Sequence, residues 1–535
     1  MPPGGDSMSE DATFPILSQP VSQSQGLAGR RRLEEVALLL SADDNVAVAR
    51  EDFARGLELI HRGAVIALKD AVPAGHKFAV REIPQGSPVT KYAHEIGSAL
   101  YPIRPGEWVH THNVQVEHEV EPREYPAYTP ASVEMPPGLP GTFRGYRRGD
   151  GRVGTRNYIA VLPASNCASH VCSRIADGLQ GARGEGLDGI VALPHQDGCG
   201  AHDGPDIDQL ERTLKGIILN PNVAAVLMVG LGCEINHLGR YADWGSGLGS
   251  LKPFVGMEIQ SLGGTSGTIA EGIRRLGAMA EEVRSLKRTE EPASRIVLGL
   301  NCGGSDAFSG ITANPALGRA SDLLVAMGGA AVLAETPEIY GAEQNLVRRA
   351  IDVETGRRLI EVVGRYRDYA ARFGATMDSN PSPGNRRGGI TNIVEKSLAA
   401  VMKGGSTTLV EVLDFAAQVS RAGLVFMDTP GYDPVSLTGI AAGGCNVIAF
   451  TTGRGSAIGF PIVPVLKIAS NSRMFHSMRD DMDVNAGEIL DGKAGIQEKG
   501  EEIYRRLIDV ASGARTRSEI LGHCEFAPWR IGPVM

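Results

Sequence analysis

From Tyr146 onward the chain repeats one pattern: a short apolar run, a polar glycine-containing loop, then an amphipathic segment. The runs are Tyr158–Leu162, Gly189–Leu193, Ala224–Val229, Ile296–Leu300 and Ala330–Leu333, and the clearest amphipathic segment is Thr268–Lys287. Short runs that are apolar on both faces read as strands covered on both sides, as in parallel sheets flanked by helices. The expected fold class is therefore α/β: a large body with a mostly parallel sheet in two parts. Glycine makes up 68 of the 535 residues, about twice the usual share. It follows no triplet period, so it belongs to turns and to loops that approach something closely.

Upstream the texture differs. Residues 1–37 read as a flexible tail. Residues 38–117 alternate short apolar runs (Asn45–Ala49, Ala64–Leu68, Phe78–Val80) with turns at Pro73-Ala74-Gly75, Pro84-Gln85-Gly86 and Arg104-Pro105-Gly106, which predicts a small β-rich module. Residues 118–145 carry prolines at 122, 126, 130, 136, 137 and 140, a density that suits a semi-extended linker. The loop-rich stretch SNPSPGNRRGG divides an α/β catalytic domain at 146–385 from a C-terminal α/β domain, or second half of the same body, at 386–535. In the latter, Ile393–Met402 and Leu409–Ser420 read as helices, and Gly423–Met427 and Asn446–Phe450 as buried strands.

Lysine plus arginine is 53 and aspartate plus glutamate 62, a net charge of −9. That argues against a nucleic-acid platform but leaves room for an anionic small molecule in a local pocket. No apolar stretch approaches the roughly 18 residues of a membrane helix, and the N-terminus has no signal-peptide pattern. Seven cysteines without a secretion signal point to a reducing compartment and to thiols that are free, ligating or catalytic. The expectation is a cytoplasmic protein with a small-molecule substrate, no nucleic acid and no membrane partner. Composition leaves a homo-oligomer open.

The polar motifs fall just after the apolar runs. GIVAL leads to Pro194-His195-Gln196-Asp197-Gly198-Cys199-Gly200, AAVLMVG to Leu231-Gly232-Cys233-Glu234, and IVLGL to Asn301-Cys302-Gly303-Gly304-Ser305-Asp306. Loops at the carboxyl ends of parallel strands are where open α/β sheets bind ligands. One reading makes Cys199, Cys233 and Cys302, with His195, Glu234 and Asp306 beside them, a shared metal or active site. The other makes each cysteine a small buried hydrophobe. Cys167 and Cys172, at a helix start, read as packing residues, and Cys524 has no supporting context.

Other stretches are candidates by type. In Val109-His110-Thr111-His112-Asn113 two histidines at i and i+2 on a strand face the same side and can share a metal. Lys91 offers a cation in the same module. Arg152, Arg156 and Asn157 precede a strand, and an arginine fork grips a carboxylate bidentately; a salt bridge between domains is the competing use. The loop Asn380-Pro381-Ser382-Pro383-Gly384-Asn385, read as non-helical, turns Asn380 and Asn385 toward a cleft or interface. Gly453-Arg454-Gly455-Ser456 has the strand-then-glycine-loop placement of an anion site.

Taken together, these motifs resemble the UxaA-type altronate/galactarate dehydratase family. The stretches that carry the resemblance run in order from about residue 38 to 490: LLLSADDNVAVA, KYAHEIGSA, GEWVHTHN, GRVGTRNY, PHQDGCG, GLGCE, NCGGSDAFSGITANPALG, NPSPGNRRGGITNIVEKSLA, AAGGCNVIAFTTGRGS and GFPIVPVLKI. The first block resembles the SAF module, fused ahead of the catalytic body. Asn301 departs from the acidic residue expected at that position in many members. The resemblance implies dehydration of a sugar acid (altronate, galactarate or a similar aldonate or aldarate) to a 2-keto-3-deoxy acid, with Fe2+ as cofactor and Mn2+ as a replacement. Such an elimination needs a metal at the carboxylate and departing hydroxyl, cationic side chains on the remaining charge and a tuned base. The expected metal ligands are His110, His112, Cys199, Cys233 and Cys302. His195 is expected as base or further ligand, with Lys91 and Asp306 as further catalytic groups. Arg156, Arg152, Asn157, Ser305, Asn380, Asn385 and Arg454 are expected to bind substrate. An alternative cofactor is an iron–sulfur cluster on Cys199, Cys233 and Cys302. Alternative functions are sulfolactate cleavage with release of sulfite, and a non-catalytic carbohydrate-binding or assembly role.

Overall fold

The computed structural model describes residues 30–116, 133–179, 184–200, 202–241 and 252–533. Most of the expected tail and the linker prolines at 122, 126 and 130 lie outside the described residues.

The N-terminal module is built from short β-strands in three small sheets. It begins before residue 38: Arg31–Arg32 pairs with the strand Glu58–His61, and Leu33 and Val36 are buried in the module's core. The tail therefore ends earlier than its polar composition suggests, because Leu33 and Val36 have a core to enter. The other side of the module does not stand alone. Val89, Ile96 and Val109 share a continuous core with Leu317 and Leu398 of the C-terminal body.

The first α/β unit has four parallel strands: β1 (Tyr158–Pro163), β2 (Gly189–Ala192), β3 (Val223–Gly230) and β4 (Phe254–Glu258), in the order β2-β1-β3-β4. Helices α1 (Asn166–Asp177), α2 (Pro205–Leu219) and α3 (Thr265–Arg284) cover it. β3, VAAVLMVG, is buried along its whole length, as a central parallel strand must be. The second unit is a seven-stranded parallel sheet. Its strands are β5 (Val297–Cys302), β6 (Ala330–Leu333), β7 (Leu409–Leu413), β8 (Gly423–Met427), β9 (Val447–Thr452), β10 (Val465–Ala469) and β11 (Val484–Asn485), in the order β7-β8-β6-β5-β9-β10-β11. Helix α4 (Ile393–Ala400) lies on the side that meets the β-rich module. The crossing between the units is sealed where α2 meets α5 (Asp433–Ala442): a Cβ on Gly216 would collide with Ala442.

Three expectations change. Strands from both sides of residue 386 belong to one sheet, so the break between the α/β units falls near residues 285–293, where Thr289–Pro292 pairs antiparallel with Thr142–Arg147. That second strand also replaces the last residues of the expected linker. Leu409–Ser420 is not a helix: Leu409–Leu413 is the edge strand of the large sheet, paired in parallel with β8. Pro383–Arg387 is a short helix rather than a non-helical loop, since proline is tolerated at its first position and Ser382 caps it.

Candidate active site

The carboxyl ends of the strands at the centre of the large sheet carry a group of buried charged side chains. β5 ends at Cys302. β6 runs into Glu335 and Glu338, and α4 with its following turn supplies Lys396 and Lys403. Among the described residues, Cys302, Glu335 and Glu338 form the one group of three metal-type donors whose ligand atoms lie within 4.8 Å of one another. All three are buried.

The lysines interleave with these donors. Lys403 Nζ donates to Cys302 Sγ at 2.7 Å and to Glu335 Oε2 at 3.0 Å. Lys396 Nζ donates to Glu338 Oε1 at 2.6 Å and to Asn380 Oδ1 at 2.9 Å. Burial and the two carboxylates push the Cys302 thiol well up, while the lysines hold Glu338 down against its own burial. Burial, with the charge of Glu338, pushes Glu335 up to about 7. Asp433, at the start of α5, is pushed up to about 8 by burial and then by Glu335 and Glu338. Glu335 has φ +73, a left-handed backbone that a non-glycine residue adopts at a cost of order 1–3 kcal/mol. Its carboxylate repays this by accepting the Cys302 backbone N–H at 2.9 Å. Asn301 has a definite use: its Nδ2 donates to Glu335 and its Oδ1 accepts from Ser436. An acid there would add a carboxylate beside Glu335.

The loop Gly303–Asp306 separates this cluster from an open cleft of about 1650 Å³ between the β-rich module and the large sheet. On the cluster side Gly303 lies against Asp433, and on the cleft side Gly304 lies against Gly455 and Arg454. A Cβ on Gly453 would collide with the Asp306 carboxyl group, so glycine is required for the β9 loop to close over it. Asp306 Oδ1 accepts from the Ser309 backbone and hydroxyl and from Ser470, and Oδ2 accepts only from Asn471 Nδ2 at 3.0 Å. Burial pushes its pKa up. Arg387, Arg454 and Asn471 line the same cleft.

The sequence-expected residues divide sharply. Asp306, Arg454, Asn380 and Asn385 gather around the Gly303–Asp306 loop, with Asn385 Nδ2 donating to the Ser305 carbonyl. The buried Ser305 hydroxyl has no hydrogen-bond partner. Arg156 is fully engaged within the fold: all five of its N–H groups go to Glu519 and to the carbonyls of Thr155, Val510 and Ala514. Arg152 pairs with Asp150 and Gln418, and Asn157 is consumed by Arg148, Asp188 and neighbouring carbonyls. His195 is not an available base, because its Nε2 meets the Pro163 carbonyl and its Nδ1 accepts the Asp197 N–H. Lys91 is buried in an ion pair with Glu395.

The expected metal ligands are not brought together either. His110 and His112 sit on a turn, not on one strand face. His110 is buried against His76, Trp108 and Thr391, and burial together with Lys77 and His76 lowers it to about 3; His112 is exposed. Cys199 and Cys233 belong to loops of the four-stranded sheet, so they do not join Cys302. Cys172 packs in the core as expected, but Cys167 is exposed beside Cys199. Sequence reasoning missed Glu335, Glu338, Lys396 and Lys403.

Family models cover the described architecture in order: the altronate/galactarate dehydratase SAF domain over 35–117, the second domain of D-galactarate dehydratase/altronate hydrolase over 145–284, and the D-galactarate/altronate dehydratase C-terminal domain over 293–534. The chain is 34% identical to altronate dehydratase of Bacillus subtilis, an alignment spanning 91% of this chain and 97% of the relative. The chain belongs to the altronate/galactarate dehydratase family. As a member it is a hydro-lyase, a sugar-acid dehydratase with a SAF domain ahead of its catalytic body. Galactarate dehydratase (L-threo-forming) of Escherichia coli is 34% identical over 94% of this chain and 96% of its own length. The beta subunit of (2R)-sulfolactate sulfo-lyase from Chromohalobacter salexigens is 35% identical over 73% of this chain and 97% of its own length. The domain limits of the family agree with the break seen between the two sheets near residues 285–293. No described helix is long and apolar enough to cross a membrane.

Proposed function

We propose that this chain dehydrates an acyclic aldonate or aldarate to the 2-keto-3-deoxy acid in the cleft between the SAF domain and the large sheet. The observation that carries this reading is the single loop Gly303–Asp306, which has the arginine-lined cleft on one side and the Cys302–Glu335–Glu338 group on the other.

In the reaction a C–H bond next to the carboxylate breaks, hydroxide leaves the following carbon, and the resulting enol tautomerises to the 2-keto acid. Arg454 and Arg387 grip the substrate carboxylate from the cleft wall. Asp306 takes the proton through Oδ2, the oxygen with a single donor, and burial strengthens it as a base. Lys396 and Lys403 place two buried positive charges behind the loop, where they favour negative charge developing on the substrate.

The donors of Cys302, Glu335 and Glu338, a sulfur and two carboxylates, are of the types Fe2+ accepts, once the thiol gives up its proton and Lys403 and Lys396 release the atoms they now donate to. These three residues would hold the ion, which when bound supplies Lewis acidity toward carboxylate and hydroxyl oxygens.

The relative that acts on (2R)-sulfolactate is named as one subunit of an enzyme, whereas SAF domain and body are a single polypeptide here, which favours the sugar acid. The deciding experiment is a panel of aldonates, aldarates and sulfolactate, assayed anaerobically with ferrous iron and reductant. Formation of 2-keto acid from an aldonate or aldarate is expected. Sulfite release alone, or no turnover on any member, overturns the reading.

A further inference from the structure

Three thiols meet on the opposite unit of the molecule, at a place the dehydration chemistry does not use. β2, β1 and β3 are adjacent parallel strands; the loops after β2 and β3 present the exposed Cys199 and Cys233, and the first turn of α1, which follows β1, presents the exposed Cys167. The three loops are stitched together by their backbones. Asn166 N–H donates to the Asp197 carbonyl at 2.9 Å, Asn236 N–H to the Gly198 carbonyl at 3.1 Å, and Asn236 Nδ2 to the Ala164 carbonyl at 2.7 Å. Gly198, at φ +89, allows this approach: a Cβ there would lie 2.6 Å from the Ala164 carbonyl oxygen. Within the third loop Glu234 turns its carboxylate back onto the N–H groups of Leu231, Gly232 and Cys233. The acid that neighbours Cys233 is thereby occupied by its own loop.

Two more observations point to a ligand. Cys167 is the second residue of the 12-residue helix α1, at the end where the helix dipole favours a negatively charged ligand. The helix cap, Ser165, is fully buried, makes no side-chain cap bond, and its hydroxyl has no hydrogen-bond partner. Ser165 lies directly against the Cys199 loop, its Cβ 3.2 Å from the position of a Cβ on Gly198. An orphaned buried hydroxyl between two of the three thiol loops is a donor waiting for a sulfur or another acceptor. Burial pushes the Cys199 thiol up, and the neighbouring Cys167 thiol, Cys233 and Glu234 push it further, so the three cysteines are within reach of one another.

We propose that Cys167, Cys199 and Cys233 bind a [4Fe–4S] cluster, each thiolate holding one iron and the fourth iron left open to solvent. The three sulfurs are not gathered within 4.8 Å of one another, which suits a body with several metal atoms better than a single ion. A closed structural zinc site would need a fourth protein ligand as well. On ligation each S–H bond is replaced by an S–Fe bond and the proton passes to solvent; no electron is transferred to or from the protein. This site is separate from the Cys302–Glu335–Glu338 group and does not rest on the proposed reaction.

The test uses the full chain, reconstituted anaerobically with ferric iron, sulfide and dithiothreitol, whose thiols supply the two electrons that bring four ferric ions to the two-ferric, two-ferrous cluster, and then desalted. About four irons and four acid-labile sulfides per chain are expected, with a broad visible absorption. Alkylation mapped by mass spectrometry should show Cys167, Cys199 and Cys233 protected in the loaded protein and labelled in the apo form. The triple variant C167S/C199S/C233S, with circular dichroism matching the parent, should hold no labile sulfide, whereas C302S should keep it. The proposal is overturned if the parent takes up iron without labile sulfide, if it binds only one zinc or iron, or if the triple variant retains the cluster.

Discussion

Lys403 places its ammonium 2.7 Å from the sulfur of Cys302 and 3.0 Å from a carboxylate oxygen of Glu335, with all three side chains buried. Lys403→Met keeps the bulk of the side chain and leaves Glu335 without this charge. Removing one partner of a buried pair typically costs about 3–5 kcal/mol. A loss of that order in denaturant unfolding is expected, together with loss of 2-keto acid formation. An unchanged unfolding midpoint would mean that Lys396 alone neutralises the cluster.

Arg454 is the opposite case. It is exposed and lines the cleft, so Arg454→Ala should leave the melting temperature unchanged. A charge-assisted hydrogen bond is worth about 1.5–3 kcal/mol, or roughly 10- to 100-fold in kcat/KM. A fall of this size, absent in Arg152→Ala, is the expected result from steady-state kinetics. Equal effects of the two substitutions would remove Arg454 from the substrate site.

How much of this was legible beforehand depends on which physical signal each residue leaves. The parallel strands were readable because fully buried strands are continuous apolar runs, as in VAAVLMVG. Leu409–Leu413 misled because one glutamate inside an apolar run suits a helix face as well as an edge strand, and only pairing with β8 decides it. Asp306 and Arg454 were found by the rule that ligands collect at carboxyl ends of strands. The same rule applied to Ala330–Leu333 would have flagged Glu335 and Glu338. Lys396 also left a trace: Glu395-Lys396 inside IVEKSLAA puts two charges on a helix that is otherwise apolar, and both are buried. What the sequence does not display is hydrogen-bond consumption. Arg156 and His195 have the right chemistry for a site, and only coordinates reveal that backbone carbonyls and N–H groups already use them.

His195→Ala follows from that consumption. The ring accepts the Asp197 N–H and meets the Pro163 carbonyl, so its loss leaves a buried donor and acceptor unpaired, costing about 1–3 kcal/mol each. A lower melting temperature is expected, with kcat retained at temperatures where the variant is folded. Abolished kcat in a folded variant would restore His195 as a catalytic group.

Glu395 couples the SAF domain to the catalytic body. Its carboxylate accepts from Lys77 at 2.8 Å and Lys91 at 2.8 Å, both from the SAF domain, and from the Thr391 N–H at 2.8 Å. Burial pushes its pKa up, but the two ammonium charges outweigh burial and hold it well below 4.5. The folded state therefore binds fewer protons here than the unfolded chain. The stabilisation is present above 4.5 and is lost as the pH falls toward the depressed folded value. Glu395→Gln removes this acid-limb dependence and also leaves two buried lysines without a counterion. At neutral pH the variant should be about 3–5 kcal/mol less stable. Urea unfolding followed through the acid limb, below about pH 4.5, should give a shallower decline than in the parent, because a neutral amide has no proton to gain there and the two lysines take up theirs at higher pH. Parallel declines in the two proteins would show that Glu395 does not set the acid stability of the SAF junction.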